Sequence, residues 1–261
     1  MNAVNKTLYI PLYSRSFVTK KGIILRDEKA VEICDTVSMD LPNNSKTKWL
    51  SYYLGMRSAV FDSWLINKMH SCDDAVVLHI GCGLDSRNLR VGTSHHPWYD
   101  VDFPDVICER MKYYSQTIDY SMIEADATDD NWLNLIPHDK TAIIVMEGIS
   151  MYIDHDNFNQ LLRCLCDHFA KLHILIDTYT EFGVKASKYK NPVNDIGVST
   201  LYGIDDPKLL TQGTGLCFVK QHSMTPDYLI EQLKGIERFV FKNIYAGKMS
   251  KKLYRMYEYK K

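Results

Sequence analysis

Apolar and polar positions along the 261-residue chain change period repeatedly, and the changes mark a recurring unit. From Ala75 to Ile80 (AVVLHI) five of six residues are apolar, the pattern of a strand buried on both faces. Trp98–Asp102 (WYDVD), Tyr120–Ile123, Thr141–Met146 (TAIIVM) and His173–Ile176 predict four more strands. Helical patterns separate them. Asp85, Ser86 and Arg87 open a short helix. Pro104 suits the first turn of a helix running through Val106, Ile107 and Met111. Thr128 precedes a short helix containing Trp132, and Asp154 caps one whose apolar positions are Phe158, Leu161, Leu162, Leu165 and Phe169. Five alternations of strand and helix predict an α/β fold with a mostly parallel sheet covered on both faces.

The flanks read differently. Residues 1–44 are mixed: an apolar patch (Leu8 to Leu12), a basic pair (Lys20, Lys21) and helical spacing from Arg26 to Cys34. Pro42-Asn43-Asn44 is a turn, and Ser45 is the expected cap of a helix reaching His70. Along it Trp49, Tyr53, Met56, Val60 and Trp64 form one apolar face, with Arg57 at its border. Residues 178–215 break the rhythm with Gly, Pro, Asn and Lys, and a connection of that length is expected to be a functional lid. Gly215–His222 predicts another strand, and Thr225-Pro226 a helix through Leu229, Leu233 and Ile236. The tail KKLYRMYEYKK alternates as a last strand whose lysines suit a sheet edge, the alternative being a basic docking patch. Residues 1–70 therefore read as a helical extension, and 71–261 as one unit built on a seven-stranded sheet.

Composition narrows the classes. A net charge of −1 and a pI near 6.7 leave no overall footprint for nucleic acid or an anionic membrane. Seven scattered cysteines, odd in number and without a Cys-x-x-Cys pair, predict a reduced, cytoplasmic protein with no metal site. Neither a signal-peptide core nor an apolar run of about 20 residues is evident.

Candidate chemistry collects where the strands end: Gly81-Cys82-Gly83, Asp102, Asp126, Glu147 and Asp177. Ligands of open α/β sheets bind outside those carboxyl ends. Unpaired buried carboxylates are costly, so their recurrence predicts a partner. Asp102 lies 19 residues beyond Gly83, where a ribose-binding acid belongs. A nicotinamide dinucleotide would want a third glycine and a helix start free of negative charge, whereas this turn has Ser86 and Asp85. S-adenosylmethionine carries a sulfonium and an ammonium that suit acidic strand ends, and Arg57 is the candidate partner for its carboxylate.

With these residues assembled, the chain resembles the leucine carboxyl methyltransferase superfamily, particularly its bacterial branch of tetracenomycin-type polyketide O-methyltransferases. The similarity is carried by LYIPLYSRS, ILRDEKAVEI, GCGLDSRNLR, WYDVDFPDV and the EG…MY segment (Glu147-Gly148, Met151-Tyr152), and covers roughly Thr7 to Asp177. Ser86 replaces the family's usual threonine. The resemblance implies a Rossmann-like methyltransferase fold. It places Arg57 on the methionine carboxylate, Gly81, Cys82 and Gly83 on the turn beneath the cofactor, and Asp102 with Phe103 at the ribose. Asp126 and Ala127 would address the adenine, and Glu147 and Gly148 the methyl-donor end. It implies methyl transfer to an oxygen of a small-molecule acceptor, a carboxylate of a polyketide-like acid first, with S-adenosylhomocysteine as by-product. A carboxylate is ionised at neutral pH and needs no base, so Arg15, Arg87 and Tyr152 are candidates for orienting it, Arg15 and Tyr152 as the catalytic pair. A hydroxyl acceptor would instead want a base. A non-catalytic S-adenosylmethionine-binding module and a protein C-terminal carboxyl methyltransferase are the alternatives.

Overall fold

In the computed structural model, which describes residues 7–37, 41–93, 95–187 and 200–261, a seven-stranded sheet is ordered β3-β2-β1-β4-β5-β7-β6. The strands are β1 (Ala75–Ile80), β2 (Trp98–Asp102), β3 (Tyr120–Glu124), β4 (Thr141–Met146), β5 (Leu172–Tyr179), β6 (Cys217–His222) and β7 (Tyr254–Lys260). The first five pair in parallel, whereas β7 is antiparallel to both β5 and β6. β1 and β4 are almost wholly buried because they lie at the centre with helices on both faces.

The helices in chain order are α1 (Tyr9–Lys20), α2 (Glu28–Thr36), α3 (Lys48–Ser71), α4 (Arg87–Val91), α5 (Pro104–Arg110), α6 (His155–His168), α7 (Glu181–Ser187), α8 (Asp227–Ile230), α9 (Gly235–Val240) and α10 (Lys248–Leu253). The apolar patch at Leu8 to Leu12 turns out to open α1, which tolerates Pro11 in its first turn and runs on to Lys20. α2 begins at Glu28 because the Asp27 side chain accepts the Ala30 N–H, two residues later than the Arg26 spacing suggested.

Several expectations at element ends need correction. Ser45 sits in a 3-10 turn, Asn43–Lys46, and the cap of α3 is Thr47, whose hydroxyl accepts the Leu50 N–H. α3 is not apolar on one face only. Tyr52, Phe61 and Leu65 are buried as well as Met56, Val60 and Trp64, because α1 packs on one side and the sheet on the other. Asp129, not Thr128, caps the 3-10 helix Asp130–Leu135. The helix expected from Thr225-Pro226 to Ile236 is interrupted between Ile230 and Gly235, and Asp177 lies two residues short of the end of β5. The tail strand is interior, and β6 forms the edge instead. Of the connection 178–215, residues 188–199 lie outside the described residues. Among the rest only Tyr179 lines the cavity over the sheet. Among the described residues no helix is long and apolar enough to cross a membrane.

Candidate active site

A cavity of about 1060 Å³ opens over the carboxyl ends of the parallel strands, bounded on the far side by α1, the start of α3 and residues 244–254. It exceeds the few hundred to roughly 1,000 Å³ of a typical small-ligand site. Its floor is the glycine turn after β1. Gly81 has φ +72°, and an added Cβ would run into the Ile149 side chain, so the turn needs both the left-handed backbone and the missing side chain. Arg110, fully buried, donates from Nη1 to the Gly83 carbonyl at 2.9 Å, and the Tyr114 hydroxyl donates to the Leu84 carbonyl at 3.1 Å. The turn is thus held by two side chains from beyond β2, one at the end of α5 and one in the loop after it.

Asp102 ends β2 with both carboxylate oxygens engaged from one side: Oδ2 accepts the Gly83 N–H at 2.7 Å and Oδ1 the Phe103 N–H at 2.8 Å. Each oxygen retains a lone pair for a diol on the cavity side. Burial pushes this carboxyl above the ordinary range, against the lowering from those two N–H groups. Asp126, exposed at the rim, accepts the Thr128 N–H and hydroxyl through Oδ1, with Ala127 beside it.

Beyond the turn the acids are met by arginines. Arg57 reaches from α3 to Glu147 (Nε–Oε1, 2.9 Å) and to Asp177 (Nη1–Oδ2, 3.1 Å). Gly148, at φ +76°, lets the guanidinium lie against its backbone, where a Cβ would stand 3.3 Å from Nη1. Arg87 pairs with Asp62 at 2.8 Å, with Asp85 at 3.3 Å, and closely with Glu147. Arg90 joins Asp62, Asp85 and Asp27, and Arg15 joins Asp27 at 2.9 Å and Asp85 at 3.5 Å. Burial would raise the carboxyl of Asp85, but Arg15, Arg90 and Arg87 hold it well below the usual range. Glu147 is likewise buried and held down by Arg87 and Arg57. Asp177 is the exception. Burial and the neighbouring Glu147 outweigh Arg57 and raise it to about 6. Five acids face four arginines in this network, an excess of one negative charge.

The far end of the cavity is aromatic and apolar. Trp49 stacks on Tyr245 with centroids 5.2 Å apart and planes 11° from parallel, and Leu50, Tyr53, Tyr179 and Tyr254 line the space between. Burial pushes the hydroxyl of Tyr53 up to about 12, and those of Tyr152 and Tyr254 are raised for the same reason. At neutral pH all three are donors.

The structure brings the expected cofactor residues Arg57, Gly81, Cys82, Gly83, Asp102, Phe103, Asp126, Ala127, Glu147 and Gly148, together with Arg15 and Tyr152, to the wall of this one cavity. Arg15 and Arg87 are engaged by acids of their own chain, whereas Tyr152 faces the space. Sequence reasoning missed Asp27, Asp62 and Arg90, the second half of the ionic network. It also missed Trp49, Tyr245 and Tyr254 as cavity walls. Arg90 and Asp62 carried a signal, since each stands within two turns of a residue already singled out; Tyr245 and Tyr254 carried none.

A family model for leucine carboxyl methyltransferases matches residues 5–166, more than half of the chain. The chain belongs to the leucine carboxyl methyltransferase family. S-adenosylmethionine-dependent methyl transfer is that family's chemistry, so the chain is a methyltransferase with S-adenosylmethionine as its methyl donor. It is 28% identical over 243 residues to the tetracenomycin polyketide synthesis O-methyltransferase TcmP of Streptomyces glaucescens, covering 92% of this chain and 90% of that one. It is 24% identical to an S-adenosyl-L-methionine-dependent methyltransferase, dpfgK, of Gibberella zeae, over 87% and 85% of the two chains. Among solved structures, a proposed methyltransferase from Thermobifida fusca YX superposes with a TM-score of 0.63 at 13% identity, over 97% of this chain and 94% of that one. Magnesium protoporphyrin IX methyltransferase of Synechocystis PCC 6803, with S-adenosylmethionine bound, gives 0.51 at 9% identity, over 90% and 97%. Identities this low speak for the Rossmann-like fold alone.

The residues present fit such a cofactor. The ionic network is one negative charge in excess, as suits a ligand whose sulfonium and ammonium outnumber its carboxylate. Asp102 offers lone pairs for a diol, and the turn at Gly81 and Gly83 leaves room where side chains would stand.

Proposed function

We propose that this enzyme methylates an oxygen of a small-molecule acceptor, a carboxylate before a hydroxyl, in the aromatic end of the cavity. One observation carries the choice of carboxylate. Tyr254 donates its hydroxyl to Asp177 and Tyr53 its own to Met224 Sδ, which leaves Tyr152, a cavity-lining hydroxyl held protonated by burial, to donate to an anionic oxygen; none of the three takes a proton from a neutral one. His79, the histidine among the described lining residues, has its Nε2 taken by Arg87 Nη1 at 3.3 Å, and its buried Nδ1 stands 3.4 Å from Asp100 Oδ1. A carboxylate needs no base, being ionised already. The O-methyltransferase activity named for the Streptomyces relative in polyketide synthesis supports a polyketide-like acid.

In this reading Arg57 holds the cofactor's carboxylate, Asp102 with Phe103 its ribose, and Asp126 with Ala127 its adenine. Gly81, Cys82 and Gly83 form the floor, and Glu147 and Gly148 position Arg57 at the methyl-donor end. The cofactor when bound supplies an electrophilic methyl group. Tyr152 donates to the acceptor oxygen and orients it, and Arg15 keeps the turn in place through Asp85 and the Leu84 carbonyl. The apolar walls exclude water, and orientation of this kind can supply roughly 7–11 kcal/mol of a barrier.

Incubation with methyl-labelled S-adenosylmethionine and parallel panels of aromatic acids and phenols tests the proposal. Label that alkali releases as methanol marks an ester and supports it. Alkali-stable label marks an ether and overturns the choice of carboxylate. No transfer to any acceptor, with cofactor binding intact, favours a binding module instead.

A further inference from the structure

Residues 235–245, α9 and the π-helical turn Phe241–Tyr245, cap the acceptor end of the cavity, and their two faces differ sharply. The inner face is fixed. Phe241 is fully buried, Tyr245 stacks on Trp49, and Glu237 is bound by Lys48 at 2.8 Å and by the Tyr52 hydroxyl at 2.6 Å. The outer face carries Ile236 and Phe239, 82% and 71% exposed, with Ile244 at 62% at the cavity wall and Tyr228 at 55% on α8. Single exposed apolar side chains are ordinary, but three large ones within nine residues on a rigidly held helix are not.

Charge separates this region from the rest of the chain. Arg238 and Lys242 are exposed on the same segment, Lys234 just before it, and Lys251 and Lys252 on α10, whose Ser250 and Leu253 line the same cavity. The pair of Lys242 with Asp227, at 3.6 Å and open to solvent, neutralises little. A whole-chain charge of −1 averages over this basic cap.

We propose that the outer face of residues 235–245 docks the enzyme on an anionic lipid surface. Ile236 and Phe239 enter the boundary between headgroups and acyl chains, and Lys234, Arg238 and Lys242 meet the headgroups, the pattern of an interfacial helix. Exposures above two thirds mean that these side chains project rather than line a groove, which suits a fluid boundary better than a protein partner. Because Ile244 and Tyr245 also wall the acceptor end, docking places that end of the cavity beside the lipid, whichever oxygen is methylated.

Flotation of the full chain with vesicles of phosphatidylcholine alone, or with a third of phosphatidylglycerol, tests this at low and high salt. The wild type is expected to float with the anionic vesicles and to be released by salt. Arg238→Glu/Lys242→Glu should lower the partition constant for the vesicles by at least about 25-fold, since each of the two basic residues near such a surface is worth roughly fivefold. Ile236→Ser/Phe239→Ser should abolish flotation with S-adenosylmethionine binding by calorimetry unchanged. Absence of wild-type flotation with anionic vesicles, or equal flotation of both variants, overturns the proposal. So does a dimer that Ile236→Ser/Phe239→Ser converts to monomer, because a second copy then covers the face. Capture of an acidic protein without flotation overturns it equally.

Discussion

At the scale of single residues, the site turns on how each carboxylate is met. Asp102 is satisfied from one side by two backbone N–H groups and open on the other, so it has both a fixed position and spare acceptors. Asp102→Ala is expected to weaken S-adenosylmethionine binding by about 1.5–3 kcal/mol, the worth of hydrogen bonds to a charged group, and unchanged affinity by calorimetry removes Asp102 from the site. Asp177 differs because it competes for the same guanidinium that is proposed to hold the cofactor's carboxylate. Its folded pKa of about 6 lies above the ordinary value, so the folded chain takes up a proton between roughly pH 4 and 6 and loses stability from this group as pH rises through that window. Protonation also frees Arg57 Nη1. Competition at a 3.1 Å contact outweighs the loss of the network's more distant excess charge, so cofactor affinity should rise as pH falls from 7 to 5, by about fivefold for roughly 1 kcal/mol of relieved competition. Asp177→Asn should flatten that dependence, and a wild-type titration flat over the same range removes the competition.

At the scale of elements, the central strands were legible because five apolar runs end in glycine or acid, and burial on both faces leaves no other reading of TAIIVM or AVVLHI. Helix starts were legible only where the cap was unambiguous. Asp154 was read correctly, while Ser45 and Thr128 lost to Thr47 and Asp129 one or two residues on, since any of these side chains can cap and only the chain's path decides. The tail strand was misplaced at the edge because its lysines were weighed and its glutamate was not. Glu258 sits in the interior strand β7, buried, with Lys68 at 2.9 Å and His222 at 2.6 Å. Burial opposes its charge, yet the contacts with His222 and Lys68 hold the carboxyl at about 2. A depressed folded pKa contributes stability that is complete above the unfolded value and lost as pH falls towards the folded one. Glu258→Gln should cost roughly 2–3 kcal/mol at pH 7, the full shift at about 1.4 kcal/mol per unit reduced for solvent screening, and much less at pH 3. Urea midpoints at the two pH values read this directly, and an equal loss at both shows that packing, not charge, is what the substitution removes.

At the scale of the whole molecule, the residues proposed for the cofactor were easier to find in the sequence than the walls of the proposed acceptor end, and topology explains why. The proposed cofactor residues fall at the ends of consecutive parallel strands, so a linear reading meets them in order at Gly81, Asp102, Asp126 and Glu147. The acceptor walls come from α1, the first turns of α3 and residues 244–254, segments brought together only by folding. Binding of the cofactor should accordingly couple both ends of the chain. Arg57 stands on α3, and its partner Asp177 also accepts the Tyr254 hydroxyl at 3.0 Å from the start of β7. A ligand that engages Arg57 therefore restrains the N-terminal helices and the C-terminal strand together. Thermal unfolding should shift upward with S-adenosylmethionine or S-adenosylhomocysteine as a single cooperative transition, by an amount that follows RT ln(1 + [L]/Kd), about 2.7 kcal/mol at a hundredfold excess over Kd. NAD should give no shift, because Ser86 stands where a dinucleotide turn needs a third glycine and the ionic network beside the turn keeps one negative charge in excess against a pyrophosphate. A shift with NAD and none with S-adenosylmethionine overturns the cofactor assignment. A transition that splits in two, with only one half responding, would show instead that the N-terminal helices and the sheet unfold independently of the arginine that joins them.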